Sequence, residues 1–428
     1  MQRTLTALFL AVFSALPVCA DTVLPGFALD VLPSPAAAGS VAVRLASGEL
    51  VTFDGQTIAR WTENGVHLAN VGSLPAFGFP SFIRVNPQGT AVVIGESSQH
   101  GLWTVPLDGS GAVPLTTIKF NYDAVFDLDG TLIVSADTDA GPASSNELLR
   151  VNPTSGGQAS LGFVDGFSGP VAVAKNGDLY YATSEFPVIA STEVLRWTAA
   201  QHHGGPPLSN ANAAIVAAGF EGGFSLAFEP DSGELYMAEV NFSLAIYRLL
   251  IVNGGPATSK ELVTATHPIS GLQFRELGGP ATFDAYQPSN GTRLHYTTGD
   301  FFQGVWEHAT VRPRQPSLSL SGPGLGGVGP VTLTLGNGVP NGSAFLVYCK
   351  KSLLSPTVLA WPFHGFLWHT RFDPARTRRV NFFMPTDANG TTQFTIYNPG
   401  NLQGQWGYQF LVATPSGQFV GASVDVSF

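Results

Sequence analysis

The chain has 428 residues, with 30 acidic and 20 basic side chains and a formal net charge of −10. Only 12% of residues are charged against 44% hydrophobic, and 49 glycines and 31 prolines punctuate them. That balance belongs to short strands joined by many turns rather than to long surface helices. So few lysines and arginines argue against a nucleic-acid partner, whose phosphates are held by clustered cations. The negative charge is read as serving solubility.

Residues 1–20 have the layout of a secretory signal: Arg3, an apolar run from Leu5 to Leu16, Pro17, and the small residues Val18-Cys19-Ala20 before a cut at Asp21. The run is short for a membrane span. A secreted, periplasmic or cell-surface protein with no transmembrane segment after cleavage is therefore expected. Cys19 raises a lipid-anchored alternative, but Val18 fits that pattern poorly. The mature chain then keeps one cysteine, Cys349. It permits no intramolecular disulfide and reads as a buried thiol in the apolar run Ala344–Cys349.

From residue 27 onward one pattern recurs. Phe27–Leu32 is a lone strand. The stretch Asn176–Trp197 then gives the pattern in full: an Asn-Gly turn, the strand Leu179–Thr183, a loop, and a strand ending Val194-Leu195-Arg196-Trp197. Strands of the same kind contain Ile58–Trp61, Leu102–Val105, Leu148–Val151, Ile246–Leu249 and Val305–His308, at intervals of 44 to 59 residues. A turn glycine precedes each unit: Gly48, Gly89, Gly130, Gly177, Gly233 and Gly291. A tight hairpin needs positive φ, which a Cβ penalises. All-strand repeats of this length predict blades, each unable to bury both faces alone. Five units supply four strands. The sixth starts from either residues 271–276 or 282–288 and lacks a fourth, which residues 27–32 could provide, sealing the ring and removing two open edges.

Beyond Arg312–Pro316, a proline-rich linker, the period stops. Residues 317–428 alternate strands with Gly, Pro and Asn, as in a β-sandwich. The expected organisation is a signal peptide (1–20), a six-bladed β-propeller (21–311), a linker (312–316) and a small β-sandwich (317–428), all-β throughout.

The repeated G-x-L-Y-x-A-acid and apolar-x-Arg-apolar segments resemble the blades of NHL-type and other six-bladed, TolB-like propellers, over residues 27–311. The segment from Thr386 resembles Ig- or fibronectin-like sandwiches appended to secreted bacterial proteins. The propeller resemblance implies a fold shared by lactonases, sugar dehydrogenases and protein-binding modules, so it does not choose among them.

Several residues invite a chemical reading. Asp54, Glu96, Asp137, Glu185, Glu239 and Asp300 end the second strands, and one acid per blade reads as a loop anchor rather than a cation ring. Asp127-Leu128-Asp129-Gly130 resembles a calcium-loop fragment, yet Gly130 matches the other hairpin glycines, so a turn is expected. Asp137-Thr138-Asp139 with Asn146-Glu147 is a fuller oxygen set, for which calcium would be the cofactor. In lactonase-like propellers the active face lies at the inner-strand entrances, here Ser81, Asp123, Gly169, Ser225 and Ser270 or Asp284. Only Asp123 is securely acidic there, and hydrolytic metal sites need several ligands. Asp123→Asn is accordingly expected to leave folding nearly intact. Asp123, Asp137 and Asp139 are thus the candidate metal ligands, and no catalytic or cofactor-binding residue is assigned. His202-His203 lies in a blade-four insertion with no third ligand evident.

Non-enzymatic binding is the expected function: a secreted scaffold for a protein, carbohydrate or small-molecule ligand, with aromatics such as Phe77–Phe79 on its loops. The alternatives are a metal-dependent lactonase-type hydrolase or dehydrogenase on the central face, and a structural cell-envelope protein.

Overall fold

In the computed structural model the described residues are 21–23, 27–31, 41–62, 65–142, 145–166, 169–184, 192–229, 233–239, 245–250, 258–265, 269–275, 293–300, 305–313, 317–325, 327–336, 342–350, 354–360, 367–372, 378–379, 384–388, 390–399, 405–413 and 419–427. The proposed signal (1–20) and the alternative inner strand at 282–288 lie outside them.

Two short strands come first, β1 (Thr22–Val23) and β2 (Phe27–Val31). Blade one is β3 to β6 (Val41–Arg44, Leu50–Phe53, Thr57–Trp61, His67–Ser73). Blade two is β7 to β10 (Pro80–Val85, Ala91–Glu96, Gly101–Pro106, Val113–Thr117). Blade three is β11 to β14 (Asn121–Phe126, Leu132–Ala136, Ser145–Val151, Gln158–Asp165). Blade four is β15 to β18 (Val171–Val173, Leu179–Ala182, Thr192–Trp197, Ala214–Phe220). Blade five is β19 to β22 (Gly223–Phe228, Leu235–Glu239, Ala245–Leu250, Thr258–Thr264), extended by β1. Blade six is β23 to β25 (Ile269–Arg275, Arg293–Asp300, Val305–Pro313), and β2 is its fourth strand.

Each inner strand lies beside the next, and β23 lies beside β3, so the six sheets close into a ring: a six-bladed β-propeller. The hairpin glycines behave as the repeat requires. Gly48, Gly89, Gly130, Gly177 and Gly233 all have positive φ, between 69° and 97°. The second strands of blades two to five are largely apolar on both faces because each sheet is sandwiched between neighbours; Leu132–Ala136 and Leu179–Ala182 are buried throughout. Large side chains from adjacent blades meet there, as where Ile133 and Leu148 of blade three join Tyr181 and Trp197 of blade four.

Closure uses more of the N-terminus than the lone strand suggests. The β2 strand pairs antiparallel with β25 from Phe27↔Pro313 to Val31↔Ala309, while β1 pairs with β22 of blade five. Tyr296 of blade six donates its hydroxyl to Asp21 at 2.7 Å. Pairing through Pro313 carries β25 two residues into the segment 312–316.

The described part of the insertion after β17 contains a helix the composition did not suggest, α1 (Ala199–Gly204). Its cause is local. Thr198 caps it, and Gln201 closes a capping box by accepting from Thr198 N at 2.8 Å. Six residues are too few to show an amphipathic period.

C-terminal to the blades, Ser317–Ser321, Gly329–Gly336 and Thr392–Asn398 form one antiparallel sheet. Ser343–Lys350, which carries Cys349, pairs with Gln405–Ala413, and that strand with Phe419–Ser427. Val331, Leu333 and Leu335 alternate inward along their strand, the period-two signature of a sheet with one buried face.

The seam between blades six and one is polar. His295 on β24 and His308 on β25 are buried beside Arg44 in a small cavity also lined by Ala42, Leu50 and Gly271. The His308 Nδ1 lies 3.0 Å from Thr297 Oγ1, and His295 Nδ1 lies 2.8 Å from Thr310 Oγ1. Burial, helped by Arg44, lowers the His308 pKa from 6.5 to about 4. A depressed folded-state pKa means the unfolded chain takes the proton first. This contribution is therefore complete above pH 6.5 and lost as pH falls towards 4, amounting to about 3 kcal/mol. Urea unfolding across that range should show the loss, and His308→Gln should flatten it. An unchanged slope in His308→Gln would refute the assignment.

Candidate functional site

The face where inner strands begin carries the loops that enter each blade and those that link second to third strands. Asp54 and Glu96 anchor these loops as the once-per-blade pattern implies. Asp54 accepts from the backbone N–H of Gln56 (2.8 Å) and Thr57 (2.6 Å), and Glu96 from Gln99 (2.7 Å) and Gly101 (2.6 Å). Glu239 accepts from Glu221 N in the same way.

Asp123 is a stitch between three blades. Its carboxylate pairs with Arg84 of blade two and accepts from Ala124 N (2.8 Å) and from Val171 N of blade four (3.1 Å). Burial pushes its pKa up, with Arg84 and the two N–H groups pulling the other way. Every strong partner it has is structural, so the expectation that Asp123→Asn would leave folding nearly untouched is revised. Next to it, Tyr122 of blade three and Phe224 of blade five meet edge to face, ring centroids 5.8 Å apart, past the intervening blade four. Burial keeps the Tyr122 phenol neutral by raising its pKa.

Asp137, Asp139 and Glu147 do not converge on a common centre. Thr138 donates to Glu147, Asp139 pairs with Lys119, and buried Asn146 donates to Ser135 Oγ (2.7 Å) and the Tyr181 hydroxyl (3.1 Å).

The same face of blades one to three displays aromatic side chains. Phe77 is 63% exposed and Phe79 49% exposed. Their loop is nonetheless fixed: Gly78 N donates to Gly55 O (2.7 Å), Phe79 N to Ser98 Oγ (2.9 Å), Ser97 N to Phe79 O (2.9 Å), and Gln99 Nε2 to Phe77 O (2.8 Å). A Cβ on Gly55, which has φ +105°, would stand 2.3 Å from Gly78 O, so glycine alone allows this approach. Beside the loop lies a cleft of about 220 Å³, lined by Pro75, Gln99, Trp103, Pro114, Thr116 and Thr117 among others. The Trp103 ring lines this cleft, while its indole N–H is turned inward, shielded from solvent and without an acceptor, an arrangement costing about 1–3 kcal/mol.

Backbone strain gathers nearby. His100 (φ 68°), Phe120 (φ 44°) and Asp139 (φ 58°) are the non-glycine residues with positive φ among those described. They meet: His100 and Phe120 pack edge to face at 5.0 Å, and Lys119 lies over the Phe120 ring while pairing with Asp139. Strain of this kind persists where surrounding contacts over-determine it, and it clusters at functional sites.

On the opposite face, one group of three potential metal ligands converges among the described residues: Asp127, His202 and His203. The sequence offered the histidines no partner and read Asp127 as a turn residue; the fold supplies the partner by setting the first hairpin of blade three against α1 of blade four. His203 Nε2 lies 3.2 Å and His202 Nδ1 3.7 Å from Asp127 Oδ2. Arg150 donates to Asp127 Oδ2 (2.9 Å), Asp129 Oδ2 (3.1 Å) and Thr131 Oγ1 (2.7 Å), and lies 3.0 Å from His202 Nδ1. Burial lowers the His202 pKa. Registering each hairpin turn against the next blade's outer loop would have brought Asp127 and the histidine pair together in the sequence.

No protein-family model matches the chain, and no curated protein matches it. Solved structures do. A Trichoderma reesei protein of Carbohydrate-Active Enzymes family AA12 aligns at 12% identity and a TM-score of 0.50, over 70% of this chain and 99% of its own. The PQQ domain of pyranose dehydrogenase from Coprinopsis cinerea aligns at 9% identity and 0.49, over 69% and 98%. A gluconolactonase from Xanthomonas campestris aligns at 14% and 0.46, over 70% and 99%. These likenesses are of fold.

Proposed function

We propose that this chain is a secreted or cell-surface binding scaffold whose propeller takes a saccharide in the cleft beside the Phe77-Gly78-Phe79 loop. The observation that carries the reading is a loop held rigid by both neighbouring blades that still turns two phenylalanines to solvent. Beside it lies a cleft of about 220 Å³ lined by the Trp103 ring and by Gln99, Thr116 and Thr117. Sugars offer C–H faces to aromatic rings such as Phe77 and Trp103, and hydroxyls to donors and acceptors such as Gln99, Thr116 and Thr117. Rigidity matters because a preformed site spends little of its interaction energy on ordering itself. The export-type composition of residues 1–20 supports the location, and the C-terminal sheets are read as an accessory sandwich that presents the propeller.

A panel of neutral oligosaccharides, ranked by calorimetry, tests this. At least one should bind, and Phe77→Ala, which removes an exposed ring beside the cleft, should weaken it about tenfold. No binding across the panel, or affinity indifferent to both Phe77→Ala and Gln99→Ala, would reject the site.

A further inference from the structure

We propose that Asp127, His202 and His203 form a binding site for a divalent late first-row transition ion, of the zinc or copper class, on the face opposite the aromatic cleft. Two imidazole nitrogens and one carboxylate oxygen, all within 4.8 Å of one another, suit such ions better than calcium or magnesium, which take sets of oxygens. The supporting contacts are those that ligands need. His202 Nε2 lies 2.7 Å from Gly177 O, so the proton belongs on Nε2 and the lone pair of Nδ1 faces the cluster. Leu128 N donates to Asp127 Oδ1 at 2.7 Å, leaving Oδ2 for the centre. Adjacent histidines in a helix normally diverge, yet here the ring centroids are 4.4 Å apart.

The Arg150 guanidinium stands against an ion, since it bridges Asp127 and His202. It also has other partners: Asp129, Thr131 and the His202 carbonyl at 3.2 Å. An incoming ion replaces its bonds to Asp127 Oδ2 and His202 Nδ1, and Arg150 keeps the rest. His203, with a side chain 39% exposed, gives the ion its route in.

The test uses untagged full-length protein stripped with chelator, then titrated with Zn²⁺ by calorimetry and with Cu²⁺ by electron paramagnetic resonance. One ion per chain is expected, with copper hyperfine structure from two imidazole nitrogens. The exposed His203→Ala variant should keep the fold by circular dichroism and weaken zinc binding about 100-fold by loss of one of three ligands. No stoichiometric binding, or binding that His203→Ala leaves unchanged, overturns the site.

Discussion

Deleting residues 27–31 is expected to abolish cooperative unfolding and drive the protein into aggregates. The β2 strand supplies the whole outer edge of blade six, from Phe27↔Pro313 to Val31↔Ala309. Its loss bares β25, whose unpaired backbone would template pairing with other chains. Phe27 is 4% exposed and packs with Tyr236, Ile246, Leu262, Tyr296 and Val311. Losing that side chain alone costs about 3–5 kcal/mol, a large part of the roughly 5–15 kcal/mol that holds a typical domain together. Size-exclusion chromatography and thermal unfolding of the truncated chain decide the matter. A monomer with an unchanged transition would show that the ring closes without β2.

Asp123→Ala should destabilise the propeller by about 3–5 kcal/mol, the cost of breaking a buried ion pair from one side. The substitution strips Arg84 of its counter-charge and leaves Val171 N without an acceptor. Arg84 retains its bonds to Ala124 O (2.6 Å) and Ile83 O (2.9 Å), so the guanidinium stays in place with its charge uncompensated. Asp123→Asn keeps an acceptor for Val171 N but not the charge, and should fall between wild type and alanine. A double-mutant cycle with Arg84→Met isolates the pair. A coupling energy near zero would mean that Asp123 is held for something other than this contact.

The repeat was legible because its cause is local. A tight turn demands glycine, and a sheet buried on both faces demands an apolar second strand, so both recur in the letters at Gly89 with Ala91–Glu96 and at Gly177 with Leu179–Ala182. Ring closure was readable from one strand too many at the start and one too few in blade six. The short β1 was not, because two residues carry no period. The Thr198–Gln201 capping box was present in the sequence, but six helical residues gave no pattern to confirm it. Site residues were harder. Asp123 looked like a lone acid at the axis, and only folding brings Arg84 and Val171 N to it from blades on either side. Asp127 and His202 stand 75 positions apart, and their meeting depends on which loop of one blade faces which turn of the last. The positive φ of Phe120 leaves no mark in residue type, and histidine and aspartate, though enriched in that region, are too common elsewhere for His100 and Asp139 to announce it.

The most direct measurement is a crystal structure of the full chain grown with the tightest-binding oligosaccharide of the panel and with calcium present. The expected result is a sugar ring packed on Phe77 with hydroxyls bonded to Gln99, Thr116 or Thr117, and Asp123 still paired with Arg84. A ligand seated instead on the propeller axis against Tyr122 and Phe224, with Asp123 turned from Arg84 onto a metal ion, would contradict it and favour an enzyme on the central face.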